Sequence, residues 1–358
     1  MRNGWQLKKL GDFISEYSVK NRCNETIPVY SVTNSQGFCK EYFNKEVASQ
    51  DKSTYKIVPY GCFAYNPSRI NVGSVDWQNK EERVIVSPLY NVFSVSENLN
   101  QDFLLYFIKS NGTMGIINTL ATGTVRLNLK LSMFKEFPIT VPPLSDQQSI
   151  VEELNTINEL IRLKKEQLDD YDKLSQSIFS EMFGNPIENE KGWEVKKFAD
   201  LYKLKSGDSL SAKNFVEGEI PVYGGNGISG YHNDFNMDGD FIIIGRVGVY
   251  CGNVREVHGK FWLTDNAFQL FYSREIQSPC FIHYLLEILD LHKYANAAAQ
   301  PVISNLTLKD VEIIIPPLSL QQLFAQRIEL IEKQKEEVQR TIKDLETLLA
   351  SRMQYWFD

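Results

Sequence analysis

Apolar residues recur at alternating steps of four and three through two long stretches of the chain, Pro142–Phe183 and Pro316–Phe357. A seven-residue repeat sustained over about forty residues is typical of a coiled-coil helix, and 1.5 Å per residue gives a rod of roughly 60 Å. The stretches align without a gap, so we predict two equivalent rods. The predicted coiled-coil seam comprises Ile150, Leu154, Ile157, Ile161, Leu168, Tyr171, Ile178, Phe324, Ile328, Ile331, Val338, Ile342, Leu345 and Leu349.

The sequence Pro-Pro-Leu-Ser opens both stretches, and a glutamine follows each serine after three positions, as in Ser145 to Gln148. Proline disfavours helix in the preceding residue, and this serine–glutamine spacing forms a capping box, so we predict that each helix begins at the serine. The alternative is an amphipathic helix lying on a globular core, although such helices rarely exceed about 25 residues. The seam is interrupted by Lys164, Ser175, Lys335 and Arg352, and is expected to be widened by Leu163, Leu174 and Met353.

Two segments of related sequence, residues 1–141 and 185–315, precede the rods. Gly4–Asp12 resembles Gly192–Asp200, and Ile27–Tyr30 resembles Ile220–Tyr223, so the whole chain is predicted to be a tandem duplication. Short apolar runs bounded by turn residues predict strands in both segments, and one helix is expected near the end of each. The predicted fold is α+β, with two duplicated domains separated by an intramolecular antiparallel coiled coil whose helices lie in residues 142–184 and 316–358.

The composition is that of an ordinary globular protein, with 43% hydrophobic and 12% aromatic residues. No apolar run reaches membrane-spanning length and no signal peptide is apparent, so we expect a cytoplasmic protein that does not bind membranes. The five cysteines form no CxxC pair and the four histidines have no metal-ligand spacing, which predicts reduced, buried cysteines and no metal site. The net charge of −7 argues against tight DNA binding by this chain alone.

This layout resembles the DNA-specificity subunit of type I restriction-modification systems over the full length of the chain. In that family the rod opens with the motif PPLxEQxxI. The first copy here matches at Pro142, Pro143, Leu144, Gln147 and Ile150, with Asp146 in the Glu position. The second copy matches at Pro316, Pro317, Leu318 and Gln321, but has Leu320 and Phe324 in the Glu and Ile positions. The stretches Asp240–Gly248 and Thr122–Leu129 are also similar to the family.

The resemblance implies a non-catalytic DNA reader in which each target-recognition domain binds one half of a split, asymmetric double-stranded site. The rods would fix the gap between the halves at about one helical turn of DNA or a little more, and one turn is ~34–36 Å. The resemblance also implies two methylation subunits as partners and, in the restriction form, two nuclease and translocase subunits. S-adenosylmethionine, ATP and Mg are expected on those partners, and no cofactor is expected in this chain.

Polar residues in the loops of both domains are the candidates for DNA contact, because Asn and Gln can bridge adenine and Arg can bridge guanine. For each of them, a solvated turn or a structural ion pair is the alternative. Arg69 and Arg246 are included because they are expected to occupy similar places, each after a predicted strand. The candidates are Asn34, Ser35, Gln36, Arg69, Asn71, Arg126, Asn128, Asn226, Ser229, Arg246 and Asn305.

Two rival functions remain open from the residues alone. Gly225–Gly230 satisfies the GxGxxG pattern, so an enzyme that binds a nucleotide at this loop is one of them. A dinucleotide site needs a helix next, however, and Tyr231–Gly239 favours turns. The other rival is a stand-alone two-headed interaction module without DNA-modification partners.

Overall fold

The computed structural model describes residues 4–40, 51–121, 128–296 and 300–358, and it has an α+β fold. The chain divides into two compact units, one formed by Met1–Lys164 with Thr341–Asp358 and the other by Lys165–Arg340. Each unit therefore contains part of both long helices. Among the described residues, no helix is at once long enough and apolar enough to cross a bilayer.

The first unit is built mainly from short antiparallel strands and two consecutive helices. Its largest sheet has four strands in the order Ile14–Glu16 (β2), Asn91–Val95 (β9), Phe63–Tyr65 (β6) and Val75–Trp77 (β7). Its core includes Phe63, Phe93, Phe103 and Phe134. The elements up to the first long helix are β1 Gln6–Lys9, β2 Ile14–Glu16, β3 Ser31–Thr33, β4 Gly37–Cys39, β5 Lys56–Pro59, β6 Phe63–Tyr65, β7 Val75–Trp77, β8 Arg83–Val86, β9 Asn91–Val95, α1 Gln101–Lys109, α2 Asn111–Ala121, α3 Leu131–Phe134, β10 Pro138–Val141 and α4 Leu144–Phe183.

The second unit contains a six-stranded sheet with the order Lys203–Ser206 (β12), Ala267–Phe271 (β17), Met237–Gly245 (β15), Val254–Leu263 (β16), Ile220–Gly224 (β13) and Gly227–His232 (β14). Strand β13 runs parallel to β16. The helix Pro279–Leu289 (α6) covers one face of this sheet and contributes Phe281, Ile282 and Leu285 to the core. The remaining elements are β11 Glu194–Lys197, α5 Phe198–Leu201, β12 Lys203–Ser206, β13 Ile220–Gly224, β14 Gly227–His232, β15 Met237–Gly245, β16 Val254–Leu263, β17 Ala267–Phe271, α6 Pro279–Leu289, α7 Asn305–Leu308, β18 Glu312–Ile315 and α8 Leu318–Phe357.

The duplication is visible at the base of each unit, where the strand before the rod pairs with the strand that opens the segment. Strand β10 pairs antiparallel with β1, and β18 pairs antiparallel with β11. The apolar strand before each Pro-Pro pair is thus held along its length by the opening strand and continues through the Pro-Pro pair into the long helix. The equivalent start of α4 and α8 follows directly from this shared arrangement.

Both long helices begin one residue before the predicted serine, so the capping-box prediction is wrong. The amide of Asp146 donates to the carbonyl oxygen of Pro143 (3.0 Å), which places Ser145 inside the first turn. Ser145 is exposed, whereas Gln147 is completely buried. The helix start is therefore held by the glutamine of the Pro-Pro-Leu motif, since Gln147 bonds the Pro142 carbonyl oxygen and Gln321 bonds that of Pro316.

The two rods pack against each other in antiparallel orientation within each unit. In the first unit Arg352 donates two hydrogen bonds to Glu153, and in the second Lys335 lies 2.8 Å from the Asp172 carboxylate. The fourteen predicted seam residues are all buried or half-buried. Leu163 and Leu174 do not widen the seam, because they are 46% and 45% exposed. Ser175, the polar residue beside Leu174, is itself buried in the seam and is only 1% exposed. Met353, the third residue expected to widen the seam, is half-buried.

The five cysteines are all free. Cys62 and Cys251 are buried, as predicted for packing residues. Cys23 is exposed because it lies in a turn immediately before Asn24, which has a positive φ of 51°. The prediction of five buried thiols is therefore wrong for Cys23, and Cys39 and Cys280 are only half-buried.

Candidate nucleic-acid interface

In the second unit, the glycine-rich segment forms a tight turn between two strands. Gly224 pairs with Gly227, which leaves Gly225 and Asn226 as the turn, with the Asn226 side chain exposed. A Cβ atom at Gly225 would lie 2.9 Å from the carbonyl oxygen of Val247, so only glycine allows this close approach. Strand β14 follows the turn, whereas a dinucleotide fingerprint requires a helix there. The glycines therefore serve backbone packing, and the nucleotide-loop alternative loses its structural support.

The loop after β15 lies against this turn and contains Arg246. The guanidinium Nη1 of Arg246 donates to the Ser206 hydroxyl (3.0 Å) and to the Asp265 carbonyl oxygen (3.3 Å). The guanidinium also lies 5.4 Å from the centre of the Phe268 ring. Arg246 therefore joins three segments at this end of the second unit, and it is partly committed to the fold.

Two predicted contact residues of the second unit use their polar atoms inside the unit. The Asn305 side chain accepts a hydrogen bond from the Leu204 amide (2.9 Å) and donates one to the Leu204 carbonyl oxygen (3.0 Å). The Ser229 hydroxyl donates to the Val222 carbonyl oxygen (3.1 Å). These contacts are structural, so neither residue is part of the candidate interface.

In the first unit, the corresponding turn consists of Asn34, Ser35 and Gln36 between β3 and β4, and all three side chains are exposed. A Cβ atom at Gly73 would lie 2.2 Å from Asn34 Oδ1, so the Asn34 side chain lies against the loop after β6. That loop also contains the predicted residues Arg69, which is exposed, and Asn71, which is half-buried. The structure thus brings the turn and this loop together at one end of the unit.

Asn128 is exposed and lies next to the same loop, because the amide of the following residue, Leu129, donates to the Pro67 carbonyl oxygen (3.2 Å). Arg126 lies outside the described residues, so its predicted DNA contact stays a prediction. In the second unit the Ile303 amide makes the equivalent bond to the Arg246 carbonyl oxygen (3.0 Å). Arg246 therefore corresponds to Pro67, and the expected equivalence of Arg246 with Arg69 is wrong by two positions.

The structure also presents an arginine that the sequence analysis missed. Arg255, at the start of β16, is exposed, and its guanidinium carbon would lie 3.2 Å from a Cβ atom at Gly227. Arg255 thus lies beside Gly227, the residue that follows Asn226 at the end of the turn. The signal for it is a short match between the two segments, Gly73-Ser74-Val75-Asp76 and Gly252-Asn253-Val254-Arg255, which places an acidic residue opposite a basic one.

Comparison with known proteins identifies the family. A sequence model described as "Type I restriction modification DNA specificity domain" matches residues 2–170 and 190–347. The chain belongs to this family. The two specificity-domain matches fall on both units of the structure. Among the described residues, no group of three or more His, Cys, Asp or Glu side chains could hold a metal ion.

Individual relatives agree with the family assignment. The specificity subunit of the type I restriction enzyme EcoprrI from Escherichia coli is 31% identical over 143 residues, which are 38% of this chain and 35% of that protein. A putative type I specificity subunit of Mycoplasma pneumoniae is 26% identical over 337 residues, or 85% of both chains. The specificity subunit of the enzyme MjaVIII from Methanocaldococcus jannaschii is 21% identical and covers 97% of this chain and 92% of its own length.

Two solved structures share the fold. The S subunit of a type I restriction-modification system from M. genitalium has a TM-score of 0.57 at 16% identity, covering 99% of this chain and 96% of that one. A chain from a structural study of complex assembly and conformational transition in the type I restriction-modification system has a TM-score of 0.63 at 17% identity. The match covers 100% of this chain and 98% of that one. At these identities the similarity supports the fold, and the specificity-domain match supports the family.

Proposed function

We propose that the chain is the non-catalytic DNA-reading subunit of a type I restriction-modification complex, and that each unit reads one half of a split, asymmetric site. The observation that carries this proposal is the separate match of the specificity-domain family to both halves of the chain, residues 2–170 and 190–347. The polar turns of the two units differ in sequence, Asn34-Ser35-Gln36 against Gly225-Asn226. Different side chains at equivalent turns are suited to the recognition of two half-sites of different base sequence.

The base contacts of this proposal lie at the turn ends of the two units. In the first unit they are Asn34, Ser35 and Gln36 with Arg69, Asn71 and Asn128, and Arg126 is added from the sequence alone. In the second unit they are Asn226 and Arg246. The Asn and Gln amides are suited to adenine and the Arg side chains to guanine or to phosphate.

The methylation and restriction chemistry is assigned to partner subunits. Two methylation subunits would bind the exposed faces of the rods and use S-adenosylmethionine, and ATP and Mg would belong to two nuclease and translocase subunits. The net charge of −7 supports a shared grip on DNA, because a chain that bound DNA tightly alone would present a clearer positive surface. This assignment agrees with the E. coli relative being the specificity subunit of a type I restriction enzyme.

The test is a methylation-aware sequence of the genome from cells with the intact gene, with the gene deleted and with the gene restored. We expect adenine methylation at one bipartite, asymmetric motif to disappear on deletion and to return on restoration. A methylation pattern that is the same in all three strains would contradict the proposed function.

A further inference from the structure

One sheet position has opposite charges in the two units. Asp76 of β7 pairs with Ala64 of β6, and Arg255 of β16 pairs with Ile243 of β15. The amide of Leu129 bonds Pro67 and the amide of Ile303 bonds Arg246, so Pro67 and Arg246 are equivalent. Ala64 and Ile243 each lie three residues before these positions and are therefore equivalent too. Their strand partners, Asp76 and Arg255, thus occupy equivalent positions. The two side chains also face equivalent hairpins. A Cβ atom placed on Gly37 would lie 1.8 Å from Asp76 Oδ2. A Cβ atom placed on Gly227 would lie 3.2 Å from the Arg255 guanidinium carbon.

The carboxylate of the first unit is committed to the fold. Asp76 accepts hydrogen bonds from the amide of Phe38 (3.0 Å) and from its neighbour Trp77 (2.9 Å). The first of these bonds attaches the hairpin that carries Asn34, Ser35 and Gln36 to the sheet. Asp76 is half-buried and is therefore a positioning residue for that turn.

The arginine of the second unit is not committed in this way. Within the part of the chain that the structure describes, the Arg255 side chain has no hydrogen bond, no carboxylate within 4 Å and no ring contact. It is exposed, and it lies beside Gly227, where a Cβ atom would be 3.2 Å from the guanidinium carbon, so the glycine leaves room for the Arg255 side chain. A guanidinium in this state keeps its full set of donors for a ligand.

The chemistry of that ligand follows from the guanidinium group and its surroundings. Arg presents two parallel N–H donors in a planar fork, which match the O6 and N7 acceptors of guanine in the major groove. The exposed amide of Asn226, which precedes Gly227 in the same turn, can bond a neighbouring base edge. Arg246 is tied to Ser206 and Asp265, so Arg255 is the better placed of the two arginines for direct contact.

We propose that Arg255 reads a guanine in the half-site bound by the second unit. This inference rests on the proposed function and adds a residue to it. The first unit has Asp76 at the equivalent position, so its half-site receives no arginine contact from this position and is read by the other residues proposed for that unit. The opposite charges of Asp76 and Arg255 thus help to explain why the two units recognise half-sites of different base sequence.

The experiment uses the full chain in complex with its methylation partner and compares the wild type with Arg255→Gln and Arg255→Lys. Lys213→Gln is the matched control, because Lys213 is exposed in the same unit and the substitution removes the same charge. Binding is measured on the cognate duplex and on duplexes with each base pair of the second half-site changed in turn. The methylated motif of each variant is read by genome sequencing.

We expect Arg255→Gln to weaken cognate binding by roughly 10- to 100-fold and to remove the preference for one guanine, with the first half-site and the gap unchanged. Arg255→Lys is expected to lose the same preference, because an ammonium group keeps the charge but lacks the fork. Lys213→Gln should retain the motif.

Three results would overturn the inference. The first is a second half-site without guanine, and the second is an unchanged motif in both Arg255 variants. The third is equal weakening on all duplexes with rescue by Arg255→Lys, which would make Arg255 a phosphate contact. In each case a wild-type motif that depends on the gene would show that the proposed function stands and that only the role of Arg255 is wrong.

Discussion

At the residue scale, a buried glutamine joins each rod to its unit in the same way. Gln147 donates to the carbonyl oxygens of Pro142 (2.9 Å) and Asn98 (3.1 Å), and accepts from the amide of Asn100 (2.8 Å). Gln321 makes the equivalent three bonds to Pro316, Ile276 and Ser278. Because Asn100 and Ser278 cap α1 and α6, each glutamine ties a rod to the first turn of a domain helix.

Replacing this glutamine is therefore expected to destabilise its unit. Gln147→Leu would leave three backbone groups without partners, and each buried unsatisfied group costs about 1–3 kcal/mol. Urea unfolding should show a loss of at least about 2 kcal/mol for Gln147→Leu. Gln148→Leu is the control, because Gln148 is exposed, and it should unfold like the wild type. Equal stability of the two variants would contradict this role.

Glu153 of the first rod explains why an arginine interrupts the seam of the second. Arg352 donates two hydrogen bonds to the Glu153 carboxylate, and the Trp356 indole donates a third (3.1 Å). The Arg352 hydrogen bonds hold the pKa of Glu153 below its usual range. Since the folded pKa is lowered, the stabilisation is present above the unfolded pKa of about 4.3 and is lost as the pH falls through the folded value.

We expect Glu153→Gln to reduce the free energy of unfolding by about 1 kcal/mol at pH 7. The same substitution should narrow the difference in stability between neutral and acidic pH, which urea unfolding across the acid range would measure. Glu152→Gln changes an exposed neighbour and is expected to keep the wild-type profile. Identical pH profiles for all three proteins would show that the Glu153–Arg352 pair contributes nothing measurable.

The sequence could not predict these residue roles. The spacing of Ser145 and Gln148 fits a capping box, but the helix begins at Leu144 and the neighbouring Gln147 holds it. The deciding bonds connect Gln147 to residues 47 and 49 positions away, and no local pattern encodes them. For the same reason the sequence predicts Asn305 and Ser229 as DNA contacts, although the side chains of these exposed residues bond the backbone of their own unit.

At the element scale, the two long helices were predicted almost to the residue. Their apolar positions repeat over 40 residues in each helix, and a pattern of that length specifies both the helix and its buried face. The domain helices α1 and α6 and several strands were also found, because apolar runs bounded by turn residues mark them. Strand pairing within the units was not predicted, since it depends on contacts between residues far apart in sequence.

The seam predicts a clear difference between buried and exposed leucine-sized residues on the same helix. Ile342 is 8% exposed, whereas Leu348 is 45% exposed. Ile342→Ala should lower the free energy of unfolding by about 2–4 kcal/mol, because it removes buried methyl groups and leaves a cavity. Leu348→Ala should cost less than about 1 kcal/mol. Urea unfolding followed by helical circular dichroism would measure both, and a larger loss for Leu348→Ala would mean that the seam is wrongly assigned.

At the scale of the whole molecule, each unit is completed by parts of both rods. Leu349, Met353, Trp356 and Phe357, from the end of the second rod, pack on the core of the first unit. Phe179, Met182 and Phe183, from the end of the first rod, are part of the core of the second unit. The duplication in the sequence predicts two domains and two helices, but the closing of each core by the other repeat's helix could be seen only in the structure.

The central claim is that the two units read two halves of one DNA site independently. The most direct measurement is to exchange residues 1–141 for the equivalent segment of another member of the specificity-domain family that retains a glutamine at the position of Gln147. The methylated motif of the hybrid is then read by genome sequencing. We predict that one half of the motif changes to that of the donor while the other half and the gap are retained. A change in both halves, or in the gap, would contradict the account.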